Sequence, residues 1–233
     1  MLLLVPCFAA TGTRESVHFD VPAPCSEGWA TQQGTQTDAI RFGRECLRKA
    51  ANHGKMTKEE VYSQVLAVLP LGHPLLTMQP TDVGDFCPQY ASFDESQRRA
   101  FWASLLTAIA KSESRFDPLA LLWEGPNDPE YSIGLLQISP SNKRAYQCDF
   151  EVEADLVDPK HNLSCGVAIL TKLVQRSHVI GGANSSTGHS GAAKYWSTLR
   201  IVPEKPHAAG TQDTRAGIIA ELSHSEPCGT GGR

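Results

Sequence analysis

The sequence predicts a mainly α fold with minimal β structure. Three observations predict it: two capping boxes that start helices, a long apolar stripe repeating every four residues behind the second box, and a further apolar helix opened by Asp158-Pro159. The 233 residues suffice for one well-cored domain with flanking segments. A composition of 41% hydrophobic and 20% charged residues is that of a globular protein. The formal net charge of −4 excludes the basic bias with which nucleic-acid binders collect phosphates, so no nucleic-acid partner is expected.

The elements follow in order. Residues 1–10, apolar and then small but without a positively charged start, read either as the end of a secretory signal or as a segment that is not a signal. Residues 11–37 are rich in Thr, Gly, Ser, Gln and Pro and read as a loose leader. Residues 38–91 read as a helical N-terminal segment and linker. Within it, Asp38 to His53 is expected to be helical, with Ile40, Phe42, Cys46 and Leu47 clustered and Gly54 as the stop. Thr57-Lys-Glu-Glu60 is a capping box for a helix carrying Val61, Val65, Leu66, Val68 and Leu69. Pro70 ends that helix, and four prolines make residues 70–91 a loop.

Residues 92–200 are expected to be the main domain. Ser92-Phe-Asp-Glu95 reads as the second capping box, opening a helix to about Glu113. Phe101, Leu105 and Ile109 recur at intervals of four, and Glu113 falls one interval further. A carboxylate at the end of a buried apolar stripe is costly unless it is paired or functional. Asp117 to Trp123 reads as a short helix, residues 128–138 as a turn with a short extended piece, Asp158 to Ser177 as a helix and Ala192 to Leu199 as a last short helix. Trp102 and Trp123 read as core residues. Residues 201–233 lack periodicity and read as a flexible tail. No run approaches the ~20 apolar residues of a membrane span.

Seven cysteines without a CxxC pair speak against a zinc ribbon or dithiol redox site. Their dispersal fits structural disulfides in an oxidising compartment, with scattered thiols as the alternative. If Cys7 leaves with a signal, six remain. Cys148 and Cys165 flank one segment and are expected to pair, two free thiols being the alternative. The eight histidines show no ligand spacing, so neither metal nor cofactor is expected.

Chemistry concentrates in four pieces: Glu113-Ser-Arg-Phe-Asp-Pro118, Ser132-Ile-Gly134-Leu-Leu-Gln137, Asn162-Leu-Ser-Cys-Gly166 and Lys194-Tyr195-Trp196. Cleaving a glycosidic bond needs an acid for the leaving oxygen and stabilisation of an oxocarbenium-like centre. A Glu at the end of an apolar helix face is partly desolvated, which raises its pKa and suits it to that work. Asp117, followed by Pro118, reads as the cap of a new helix, while Glu124, Asp128 and Glu130 lie in a loop within reach of a cleft.

In this order the four pieces resemble the lytic transglycosylases of the soluble-transglycosylase (SLT) type, within the lysozyme-like superfamily that includes goose-type lysozymes. The resemblance covers roughly residues 92–200 and implies a lysozyme-like catalytic domain acting on peptidoglycan glycan strands. It implies Glu113 as the single acid/base, with Ser114, which follows it as in many members, expected to be substrate-binding. Gly134 to Gln137 match Gly-Leu-Met-Gln, Leu136 standing for Met, a swap that conserves volume. Ser132, Gln137, Tyr195 and Trp196 are expected to be substrate-binding, with Gln137 facing the sugars and Tyr195 near Glu113. Gly134, Asn162 and Gly166, with Cys148 and Cys165, are expected to be structural, Asn162 as a helix cap. Trp196 departs from the family's usual Asn and is either a core residue or a sugar platform. The resemblance further implies assistance by the substrate's N-acetyl group and a 1,6-anhydromuramoyl product.

The alternatives are a hydrolytic lysozyme of goose type and an inactive glycan-binding module. The expected location is periplasmic or secreted. Secretion machinery or an inhibitor or immunity protein are conceivable partners beyond the glycan.

Overall fold

The computed structural model describes residues 55–125, 130–151, 153–182, 189–201 and 214–229. The leader, the expected 38–53 helix and Cys7, Cys25 and Cys46 lie outside the described residues. Among these the fold is mainly α, with one two-stranded antiparallel sheet, as the sequence predicts.

Helix α1 (Lys58–Val68) begins at the Thr57 capping box, where both reciprocal bonds to Glu60 form. Val61, Val65 and Leu69 bury its inner face. Its last carbonyls are satisfied from another helix: the Arg99 guanidinium donates to Leu66 O at 2.7 Å and to Leu69 O at 2.6 Å. The proline-rich 70–91 stretch is more ordered than a loop. It holds a 3-10 turn at Pro74–Thr77, a single helical turn α2 (Val83–Phe86) and another 3-10 turn at Tyr90–Ser92. Tyr90 organises it, donating to Met78 O and accepting from the Trp102 indole, both at 2.9 Å.

Helix α3 (Glu95–Ser114) is the central rod. Its cap is Asp94, with Gln97 as the reciprocal partner, two residues later than the Ser92 cap read from sequence. Ser92 instead closes the preceding turn by donating to Gln89 O. Phe101 through Ala110 is buried on every side, so neighbours surround this helix. It ends with Arg115 and Phe116, both in the left-handed region at φ 54° and 61°. That conformation is strained for a bulky Phe, and it redirects the chain immediately after Glu113.

Strands β1 (Leu121–Trp123) and β2 (Tyr131–Ile133) form the hairpin, with Leu122 opposite Ser132 and Trp123 opposite Tyr131. The helix expected over 117–123 is therefore replaced by a turn and a strand. Asp117 and Pro118 turn the chain, and Leu121-Leu-Trp finds a partner strand that a local reading cannot supply. A helical turn α4 (Lys143–Tyr146) follows. Helix α5 (Pro159–Ser177) has Asp158 as cap and Pro159 at its first position, as the sequence predicts. The expected 192–199 helix is instead two 3-10 turns, Gly191–Lys194 and Ser197–Leu199.

The tail departs most from expectation. Residues Thr214–Ser223 form helix α6, and Ile218, Leu222 and Cys228 join the same apolar cluster as α1, α3 and α5. Glu221 of α6 pairs with Lys58 of α1 and Lys111 of α3, each at 2.9 Å. A disulfide, Cys87–Cys228, closes a sequence separation of 141 residues, a constraint worth roughly 5 kcal/mol in the chain-entropy account. The second disulfide, Cys148–Cys165, is the expected pair. The four described cysteines are thus all bridged, as suits an oxidising compartment. No helix among the described residues is long and apolar enough to cross a membrane.

Candidate active site

Glu113 sits on the last turn of α3, half-buried, where the apolar stripe runs out. Burial pushes its carboxyl above the ordinary value of 4.5, and the nearby Glu124 carboxylate pushes the same way. Opposing them, Thr198 Oγ1 donates to Glu113 Oε1 at 2.9 Å, and the Arg200 guanidinium favours the charged form. The net direction is upward. A helix C-terminus is also the negative end of its dipole and disfavours a carboxylate there.

Glu124 follows β1 on the face shared by Leu122 and Ser132, and the Ser132 hydroxyl donates to its carboxylate. Its own N–H donates to Glu130 O at 3.1 Å, extending the hairpin. Two carboxylates, one half-buried and one exposed, therefore interact at this place. Trp123, read as core from the sequence, is 41% exposed on the same hairpin and packs on Tyr131 with ring centroids 4.9 Å apart.

The Gly134–Gln137 turn beside the hairpin is built on one side chain from α5. Asn162 Oδ1 accepts from Leu136 N–H at 2.9 Å, and Nδ2 donates to Ile133 O at 2.8 Å and Leu156 O at 2.9 Å. Asn162 therefore does not cap its helix, since Asp158 does; it clamps the motif turn. Gly134 has φ +77°, and a Cβ there would lie 2.4 Å from both Asn162 Nδ2 and Leu156 O. Gly166 is required for a different reason: a Cβ would lie 2.1 Å from Leu136 Cδ1, so the bare helix surface is the seat for Leu136.

The remaining expected residues divide. Ser114, expected to bind substrate, is instead buried, its hydroxyl donating back to Ala110 O at 2.9 Å in a helix-internal contact. Gln137 is buried at φ +50°, and its amide nitrogen donates to Gly134 O at 2.8 Å and Ala120 O at 3.2 Å, so it clasps the turn. The Tyr195 hydroxyl accepts from Ser139 N–H at 3.0 Å, burial pushes its pKa up, and it packs edge-on against Tyr146 and Trp196. Trp196 is only 2% exposed, with its indole N–H donating to Leu136 O at 3.0 Å. It is a core residue bracing the motif turn, and the sugar-platform expectation is corrected. Among the described residues no three His, Cys, Asp or Glu side chains gather to hold a metal.

The sequence reading missed Thr198 and Arg200 altogether. Both follow the last motif, and no local signal marks them: Thr198 meets Glu113 across 85 residues of chain.

A family model described as the transglycosylase SLT domain matches residues 91–195. Among solved structures, "Bd0314 DslA wild-type form 2" is 34% identical over 73% of this chain and 92% of its own, with a TM-score of 0.63. Two further structures of DslA, at 33% and 34% identity and TM-scores of 0.61 and 0.60, each cover 74% of this chain and 90% of their own. Each carries one glutamate-to-glutamine substitution, the two altered positions lying eleven residues apart. No curated protein matches. With four motifs in order, a helical fold of the lysozyme-like kind and a similar structure covered nearly end to end, the chain belongs to the transglycosylase SLT domain family.

Proposed function

We propose that this protein cleaves the β-1,4 bond between N-acetylmuramic acid and N-acetylglucosamine in peptidoglycan, with Glu113 as the acid/base. The family supports peptidoglycan lytic transglycosylase-type activity in general. The observation that carries the residue assignment is the half-buried Glu113 carboxyl, raised above its ordinary value, at the end of the central helix. Such a group keeps its proton at higher pH than a free carboxyl, so it can donate to the leaving oxygen. In the transglycosylase reading the ionised Glu113 then takes a proton from the muramoyl C6 hydroxyl, which attacks C1 and leaves a 1,6-anhydro end.

One observation favours a second, hydrolytic reading. Glu124 acts on Glu113 electrostatically from the hairpin, and the two are eleven residues apart, the spacing of the glutamates altered in the DslA variants. In that reading the Glu124 carboxylate assists attack by water, and the product gains a reducing end. The disulfides and the substrate favour an extracytoplasmic location.

The test is muropeptide release from purified peptidoglycan by wild type and Glu113→Gln. Loss of a general acid is expected to lower the rate by about 100-fold or more. An active Glu113→Gln would overturn the assignment. Product masses separate the readings, since hydrolysis adds one water per cleavage and the anhydro route adds none.

A further inference from the structure

We infer that Thr198 is the positioning residue for the Glu113 carboxyl, and that the C-terminal segment holds it there through Thr214. The inference rests on Glu113 as the acid. Thr198 is 9% exposed, and its hydroxyl donates to Glu113 Oε1 at 2.9 Å. A glutamate on the last turn of a helix has three freely rotating bonds, whereas a β-branched Thr is stiff at its first. The hydroxyl therefore fixes the carboxyl plane and occupies Oε1, leaving Oε2 as the oxygen that delivers and recovers the proton.

Thr198 is held in turn. Its carbonyl accepts from Thr214 Oγ1 at 3.2 Å, at the start of α6, and its neighbour Leu199 is fully buried. Helix α6 grips the Glu113 end of α3 a second time through Glu221 and Lys111, two residues before Glu113. Beyond α6 the chain is fastened by Cys87–Cys228. Thr198, Thr214, Glu221 and Cys228 all lie beyond residue 195, where the family match stops. The part of the chain that reads as tail thus supplies the support for the acid.

The charged groups acting on Glu113 from packed elements are Glu124 beyond β1 and Arg200 after the last 3-10 turn. Neither changes in a Thr198 variant, so a shift in the pH profile reports the hydroxyl. Thr198→Val keeps the shape and removes the donor. Its hydroxyl stabilises the ionised form, so its loss is expected to move the alkaline limb of the Glu113-dependent rate to higher pH. It is also expected to lower kcat at least tenfold with KM within twofold. Thr198→Ser restores the donor and is expected to recover both. Thr214→Val removes only the brace and is expected to give a smaller fall in kcat, again with KM within twofold. The inference is overturned if Thr198→Val, melting like wild type, keeps kcat within twofold with an unmoved limb, or if Thr198→Ser is as impaired as Thr198→Val. If Thr198→Val does not fold, Thr214→Val decides: wild-type kcat overturns the inference. An active Glu113→Gln would instead sink the functional reading. An inert Glu113→Gln beside an unaffected Thr198→Val sinks this inference alone.

Discussion

Replacing Asn162 with alanine is expected to destabilise the protein by about 2 to 4 kcal/mol. Asn162 is 1% exposed and its amide makes three hydrogen bonds, at 2.9, 2.8 and 2.9 Å, to Leu136 N–H, Ile133 O and Leu156 O. Truncation takes the partner from one buried donor, Leu136 N–H, and one buried acceptor, Leu156 O, each costing about 1–3 kcal/mol, while Ile133 O keeps its bond from Ile138 N–H at 2.9 Å. A water entering the vacated space has polar partners to bind and offsets part of that cost, which brings the expected sum to the lower half of the range. Against the roughly 5–15 kcal/mol of a typical domain the loss is large. Urea unfolding of wild type and Asn162→Ala measures it, read from the midpoints with the denaturant slope unchanged. A loss below about 1 kcal/mol would refute the reasoning, because the turn would then hold its shape without the clamp. The folded fraction at low temperature is also expected to cleave glycan more slowly, since the clamped turn lies beside the hairpin that carries Glu124.

Two further outcomes follow from the same geometry. The Glu113 carboxyl is raised mainly by burial, so its contribution to stability is present below the unfolded value of 4.5 and is lost as pH rises through the folded value. Glu113→Gln is therefore expected to melt higher than wild type at pH 7–8, with the difference closing below about pH 4; an equal or lower melting temperature at pH 8 would contradict the burial argument. Trp196→Phe keeps the ring packing and loses the bond to Leu136 O, so about 1 kcal/mol of stability is expected to go while KM for glycan stays within twofold. A several-fold rise in KM would restore the sugar-platform reading.

How legible the site was depended on the range of the interaction. Glu113 announces itself because its stripe is local: Phe101, Leu105 and Ile109 are its own helix neighbours. Gly134, Asn162 and Gly166 are recognisable as a motif, but their physical roles emerge only when Leu136 lies on the bare Gly166 surface and the Asn162 amide meets the turn. Gln137 and Trp196 show the same limit: a polar or aromatic residue in a site motif reads as facing substrate, and only the folded structure shows both donating to backbone carbonyls. The α6 helix was hidden because only Ile218 and Leu222 bury its face, too few for a periodic signal.

The sequence by itself determined the helix starts at Thr57 and Asp158, the central helix that carries Glu113, the family and the class of glycan chemistry. The helix starts and the central helix rest on residues within a few turns of one another, where backbone geometry sets which side chains meet, and the family rests on four short motifs taken in order. Only the tertiary structure decided the surroundings of the Glu113 carboxyl: Thr198 from 85 residues away, Glu124 from the hairpin, and a C-terminal helix fastened by Cys87–Cys228. Those contacts depend on how separate elements pack, and packing is a property of the assembled core that no local pattern encodes.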